Sequence, residues 1–186
     1  MVGPGLRGWS ARRRLRFDRR GLHAGEERSV AATKSFIAQL VAGARLAASW
    51  QDDAALASAL EQLPDCLERA CAADWSAAVA ALADADRLFV IGRGLGLPVA
   101  MEAALKFKET CGIQAEAFSG AEIQHGPMAL IEEGYPLLVF APRGPAQAGL
   151  VELAQAMRGR GAHVLLAAPP GTPGANLPLV ESPLED

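Results

Sequence analysis

Short apolar runs constrain the fold of this chain more than any other feature. The strongest are RLFVIG (87–92), PLLVFA (136–141) and HVLLAA (163–168), and weaker candidates are IQAEAF (113–118) and LPLVES (177–182). The strong runs are continuous in apolar residues and short, which is typical of strands buried on both faces. Segments with helical periodicity lie between them, at about 98–111 and 146–160. Strands joined by helices indicate a parallel sheet, and we predict a doubly wound α/β domain.

A helical segment precedes this domain. Ser29 is the predicted N-cap of a helix that ends near Trp50, because apolar residues recur there at helical spacing. Three shorter alanine-rich helices are predicted at about 53–62, 65–72 and 74–84. Pro64 marks the break between the first two of them.

The first residues differ in composition from the rest of the chain. Residues 1–20 hold seven arginines and one aspartate, a net charge of +6, and the other residues carry −9. Such a start is typical of a transit peptide or a nucleic-acid arm, but we favour a disordered tail foreign to the domain. The chain then divides into a basic start (1–24), a helical lead-in (25–84) and the α/β domain (85–182).

Composition and residue spacing exclude several classes of function. The acidic body is a poor partner for nucleic acid, because such binding is dominated by phosphate neutralisation. No apolar run approaches the roughly 18–20 residues that span a bilayer. The three cysteines form no CxxC pair and the three histidines are widely spaced, so we expect no metal site and no disulfide framework. These features favour a small-molecule enzyme or an assembly subunit in a reducing cytoplasm.

A glycine turn follows the first predicted strand. Gly92, Arg93 and Gly94 begin the sequence GRGLG at the carboxyl end of that strand, where α/β sheets bind ligands. The dinucleotide-binding fingerprint requires glycine where Leu97 stands, so the match to it is weak. Two interpretations stay open: a structural turn, or a turn whose backbone amides hold an anionic sugar phosphate.

Three charged residues share one face of the helix that follows. At about 100° per residue, Glu102, Lys106 and Glu109 lie within roughly 60° of one another. They form either a solvated stripe with an ordinary ion pair, or a site in which Lys106 tunes a carboxylate and Glu109 is a general base. His125 lies in a loop bounded by glycine and proline, and is either a surface histidine or part of a site.

Three segments, in this order, carry a family resemblance. They are SVAATKSF (29–36), VIGRG (90–94) and MEAALKFKETCGIQAEAFSGAEIQHGPMALI (101–131). Over about residues 25–182 the chain resembles the sugar isomerase (SIS) domain family. It is similar to the second of two tandem SIS domains in the isomerase half of glutamine–fructose-6-phosphate aminotransferases. It is at least as similar to the related stand-alone amino-sugar-phosphate deaminases and isomerases that lack a glutaminase domain.

The resemblance implies a fold, a reaction and residue roles. The fold is a parallel sheet of about five strands flanked by helices. The reaction interconverts glucosamine 6-phosphate and fructose 6-phosphate or similar sugars, with loss or gain of ammonia and no metal or cofactor. Glu109 matches the general base, and His125 matches a ring-opening histidine contributed across a homodimer interface. The remaining matches are Glu102 and Lys106, which line the pocket, and Val30, Ala32 and Thr33 in a loop near the sugar, where some relatives have serine in place of Ala32.

Two departures from the family pattern shape the functional prediction. Members usually carry an earlier SIS domain with a phosphate-binding loop, and a C-terminal tail with an active-site lysine, and neither has a counterpart in this sequence. We therefore expect a partial gene product that retains the base and the histidine, an isomerase or deaminase domain whose activity on its own is open. The alternative is a non-catalytic SIS module that binds sugar phosphates to regulate transcription or another subunit.

Overall fold

The computed structural model describes residues 21–181 and 183, and its centre is a five-stranded parallel sheet. The strands are β1 (Arg87–Gly92), β2 (Gln114–Ser119), β3 (Pro136–Phe140), β4 (His163–Ala168) and β5 (Leu177–Pro178). Their order in the sheet is β2-β1-β3-β4-β5, and every neighbouring pair is parallel. The predicted α/β class is confirmed. The prediction of disorder at the start of the chain falls, for residues 1–20, outside the described residues.

The last strand is shorter than the predicted run 177–182. Only Leu177–Pro178 pair with the end of β4. Asn176 supplies the preceding contacts through its side chain: its Oδ1 accepts from the Leu166 N–H at 2.6 Å, and its Nδ2 donates to the Val164 carbonyl at 3.1 Å. Because Pro178 has no N–H to donate, the ladder does not extend as a regular strand.

Helices cover both faces of the sheet. They are α1 (Thr33–Gln51), α2 (Ala54–Ala72), α3 (Ser76–Leu82), α4 (Gly96–Lys106) and α5 (Gln147–Gly159), with a π-helical turn (Phe107–Cys111, here the π turn) and 3₁₀ turns at Glu122–His125 and Pro127–Leu130. α3 and α4 pack on one face, where Leu82, Ala100 and Ala104 are buried. α5 packs on the other face, where Leu150 is buried together with Ile123 of the first 3₁₀ turn.

The predicted break at Pro64 is wrong. α2 runs from Ala54 to Ala72 through the proline. Leu60 and Cys66, on either side of Pro64, are both buried, and α2 packs along α1. Burial of one continuous face offsets the cost of a missing N–H inside the helix.

α1 begins four residues after its predicted N-cap. Ser29 does not cap it: the N-cap is Ala32, whose side chain accepts no hydrogen bond. The Glu27 carboxylate supplies the acceptor instead, because its Oε1 receives the Ser35 backbone N–H at 2.6 Å. An acidic group from the preceding segment thus does what a local serine was predicted to do. This hydrogen bond lowers the pKa of Glu27 below its ordinary value.

Replacement of Glu27 by glutamine is expected to make the free energy of unfolding less dependent on pH. Because the folded-state pKa of Glu27 is lowered, its contribution to the free energy of unfolding is full above the ordinary value of 4.5 and disappears as the pH falls below it. Urea denaturation of both proteins from pH 7 down to pH 3 measures this. The stability difference between them should shrink below pH 4.5. Glu26→Gln, an exposed neighbour, is the control, and a difference independent of pH would contradict the assignment.

Candidate functional site

The glycine turn after β1 is tightly closed. A Cβ on Gly92 would lie 2.2 Å from the Gly96 carbonyl oxygen, and Gly94 has a φ of 55°. The Gly96 N–H donates to the Arg93 carbonyl at 3.0 Å, and the Leu97 N–H donates to the Gly94 carbonyl at 3.1 Å. These amides serve the turn itself, so the turn has a structural role whatever else it binds.

Arg93 leads from this turn toward the α5 face of the sheet. Its guanidinium lies 3.9 Å from the position that a Cβ on Gly149 would occupy, in the first turn of α5. Arg93 and Gly149 line a cleft of about 440 Å³, together with Gly120 and Gln124. The predicted substrate-binding residue Arg93 therefore faces a cleft at the carboxyl ends of the strands.

Glu102, Lys106 and Glu109 form an ion-paired cluster, here called the acidic triad. The Lys106 ammonium lies 2.7 Å from Oε2 of Glu109 and 3.1 Å from Oε1 of Glu102. The exposed fraction of the side chain is 23% for Lys106, 24% for Glu109 and 20% for Glu102. The cluster lies at the surface, and its two ion pairs bring together the residues that the helical spacing placed on one face.

The charges of the triad act on one another. The Glu109 hydrogen bond is the largest cause that raises the pKa of Lys106 above its ordinary value, and Glu102 adds to it, while desolvation opposes them. Lys106 therefore remains protonated through the neutral range and holds two carboxylates in fixed positions. The cluster keeps one net negative charge, which suits abstraction of a proton from a neutral carbon acid.

The helix that carries the triad changes its winding at Phe107. α4 ends at Lys106, and Glu109 lies at the centre of the π turn. Gly112, with a φ of 69°, closes the π turn by donating its N–H to the Phe107 carbonyl. We predicted one helix over 98–111 with its stop at Gly112; the stop is confirmed, but the π turn carries no signal that the sequence pattern could have revealed.

His125 lies apart from the triad. It is exposed and ends the 3₁₀ turn after β2, whose Ile123 is buried against the α5 face. α4 packs on the opposite face. Among the hydrogen bonds and ion pairs of residues 21–181, none joins His125 to Lys106 or Glu109. The pairing of His125 with Glu109 in one catalytic site stays a prediction.

The other predicted substrate-binding residues lie in two further parts of the chain, the loop before α1 and the glycine turn. Val30 is 87% exposed, and Ala32 and Thr33 form the N-terminal boundary of α1, which packs on α2. Gly94 and Glu109 lie at opposite ends of α4, and at 1.5 Å per residue they are about 20 Å apart. That these residues share one site with the triad stays a prediction.

Other candidate sites are limited in the part of the chain that the structure describes. In residues 21–181 and 183, no group of three or more His, Cys, Asp or Glu side chains is placed to hold a metal ion. No helix within the same range is both long and apolar enough to cross a bilayer.

Comparison with known proteins places this geometry in a family. Residues 81–168, which include the glycine turn, the triad and His125, match the model of the SIS domain. The chain contains a SIS domain. The match begins in α3 and ends with β4, so Val30, Ala32 and Thr33 lie outside it.

Relatives of this SIS domain are longer proteins. It is 37% identical over 144 residues to the isomerizing glutamine–fructose-6-phosphate aminotransferase of Methanothermobacter thermautotrophicus, covering 76% of this chain and 24% of that protein. A proposed phosphosugar isomerase from Silicibacter pomeroyi superposes with a TM-score of 0.77 at 42% identity, over 88% of this chain and 50% of the other. The C-terminal domain of the Francisella tularensis glucosamine–fructose-6-phosphate aminotransferase superposes with a TM-score of 0.67 at 26% identity, over 84% of this chain and 48% of the other. The relationship to aminotransferase isomerase domains and phosphosugar isomerases is thereby established.

Proposed function

We propose that this SIS domain catalyses the interconversion of amino-sugar and keto-sugar phosphates, of the glucosamine 6-phosphate and fructose 6-phosphate type, with Glu109 as the general base. The observation that carries the proposal is the partly covered triad, in which Lys106 lies 2.7 Å from the Glu109 carboxylate. A carboxylate fixed at the edge of a helix by an ammonium group is oriented for proton abstraction before substrate arrives.

The chemistry requires one base that moves a proton between adjacent carbons. In the open-chain sugar, Glu109 removes the proton from the carbon that bears the amino group while the carbonyl oxygen takes up a proton from solvent, which gives an enolamine. Glu109 then returns its proton to the neighbouring carbon, and the nitrogen gives up one proton to solvent as the imine forms. Water then replaces nitrogen at the resulting imine, releasing ammonia and the keto sugar. Lys106 holds the carboxylate in place and offsets negative charge that develops on the substrate oxygen.

The distances within one chain limit which residues can contact the same sugar phosphate. Glu109 and the Gly92–Gly94 turn are about 20 Å apart, a distance too great for one hexose phosphate to bridge. Since His125 and the triad lie on opposite faces of the sheet, we propose that His125 reaches the sugar from a second copy of the chain. In such a homodimer the Arg93 cleft of one copy would serve a different part of the ligand, or a different ligand, from the triad of the same copy.

Solvent exchange tests this function more sensitively than net turnover. The purified chain is incubated in D₂O with fructose 6-phosphate and ammonia, and separately with glucosamine 6-phosphate, at protein concentrations that permit dimerisation. Proton NMR should show deuterium entering fructose 6-phosphate at the carbon beside its carbonyl. It should show deuterium entering glucosamine 6-phosphate at the carbon that bears the amino group, together with release of ammonia. Binding of the sugar phosphate without exchange would favour the regulatory module and contradict the enzyme. Neither binding nor exchange would contradict both.

A further inference from the structure

We propose that Thr110 is a positioning residue, whose hydroxyl holds the π turn in the form that presents Glu109 to Lys106. This inference rests on the proposed role of Glu109 as the base. Thr110 itself touches no reacting atom: it acts through the backbone that carries its neighbour.

Both ends of the π turn are anchored in the core. Phe107 packs against the cluster formed by α4 and the sheet, and Ile113, directly after the turn, is 6% exposed. The N–H groups of Gly112 and Ile113 both converge on the Phe107 carbonyl. The exposed middle of the turn, which holds Glu109, has no such packing to fix its shape.

The Thr110 hydroxyl supplies the bond that spans this middle. Its Oγ1 donates to the Lys106 carbonyl at 2.7 Å. In a regular α-helix that carbonyl would accept the backbone N–H of residue 110, but π winding moves each N–H one carbonyl further back. A threonine side chain reaches the carbonyl four residues earlier, so the hydroxyl keeps residue 110 bonded to the Lys106 carbonyl although its N–H has moved away. In sequence, Glu109 lies between Lys106 and Thr110, the two residues that this hydrogen bond joins.

Loss of the Thr110 hydroxyl bond would alter the contact between Lys106 and Glu109. Both side chains project from the segment closed by this hydroxyl bond, and their charged atoms lie 2.7 Å apart. When the hydroxyl is absent, the Lys106 carbonyl loses a partner and the turn gains alternative windings, which changes where the Glu109 carboxylate lies. π turns inside helices occur frequently at functional sites, and this one carries Glu109 beside Lys106.

Three variants test this role. Thr110→Val removes the hydroxyl and keeps the shape, Thr110→Ser keeps the hydroxyl, and Thr172→Val removes a comparable hydroxyl bond to the Pro169 carbonyl in a remote loop. The measurements are the NMR titration of the Lys106 ammonium, deuterium exchange of the Gly112 amide, and kcat and KM for sugar-phosphate interconversion.

Thr110→Val should shift the Lys106 titration toward that of an ordinary lysine and speed Gly112 exchange. It should lower kcat about fivefold, the factor expected for one ordinary hydrogen bond, with KM nearly unchanged. Thr110→Ser and Thr172→Val should behave as the unmodified chain. An unchanged Lys106 titration in Thr110→Val would overturn the positioning role, whatever the activity. A shifted titration in a chain that proves inactive would retain the positioning role and count only against the proposed function.

Discussion

Replacement of Glu109 by glutamine is expected to lower kcat for sugar-phosphate interconversion by about 10²- to 10⁴-fold, the usual contribution of a general base. Glutamine has nearly the same shape and its amide oxygen still accepts a hydrogen bond from Lys106, so the fold and the sugar contacts should persist. It cannot accept a proton from carbon. The loss should therefore appear in kcat, with KM changed by less than about threefold.

A second measurement on the same variant reports the electrostatics of the triad. The hydrogen bond from Lys106 to Glu109 is the largest cause that raises the pKa of Lys106. Removing the negative charge at 109 should lower that pKa, which NMR titration of the ammonium detects without any turnover. An unchanged Lys106 pKa would contradict the Lys106–Glu109 contact itself. A lowered pKa with unchanged kcat would keep the contact and contradict only the role of Glu109 as the base.

Glu132→Gln is the matched control. Glu132 is an exposed glutamate in the loop before β3 and lies outside the triad. The control should keep both kcat and the Lys106 titration. If Glu109→Gln retained solvent exchange at the sugar carbon, Glu109 would not be the base, and another proton acceptor would have to be sought near the triad.

Much of the fold was predictable because hydrophobic continuity is a strong local signal. Leu88, Val90 and Ile91 are fully buried in β1, as a strand covered on both faces requires. The errors arise where a distant contact replaces a local rule. Glu27 caps α1 in place of Ser29, and burial along one face carries α2 through Pro64.

The candidate site was predictable only within one helix. Spacing alone placed Lys106 and Glu109 on one face, because a helix fixes the relative direction of residues three apart. Spacing carries no information on which face of the sheet the helix covers, so the separation of His125 from the triad emerges only from the topology. The π turn depends on backbone hydrogen bonds and on Thr110, and no periodicity in the sequence reveals it.

Replacement of Gly92 by alanine is expected to destabilise the domain by about 3 kcal/mol or more, a large share of the stability of an ordinary domain. The added Cβ would lie 2.2 Å from the Gly96 carbonyl oxygen and 2.5 Å from its carbon. These are backbone atoms, so no side chain can rotate away. Relief would require α4 to move from the sheet, where Ala100 and Ala104 are 0% and 3% exposed.

Gly96→Ala is the matched control, since both glycines belong to the same turn. A Cβ on Gly96 would meet Phe140 and Pro142 atoms at 3.8 Å, an ordinary van der Waals contact, so the free energy of unfolding should change by less than about 1 kcal/mol. Urea denaturation of the two variants measures the difference. Equal stabilities would mean that α4 does not approach the end of β1 as closely as described. Since α4 carries Glu102 and Lys106, the same close approach that demands glycine at 92 also fixes where the triad stands against the sheet.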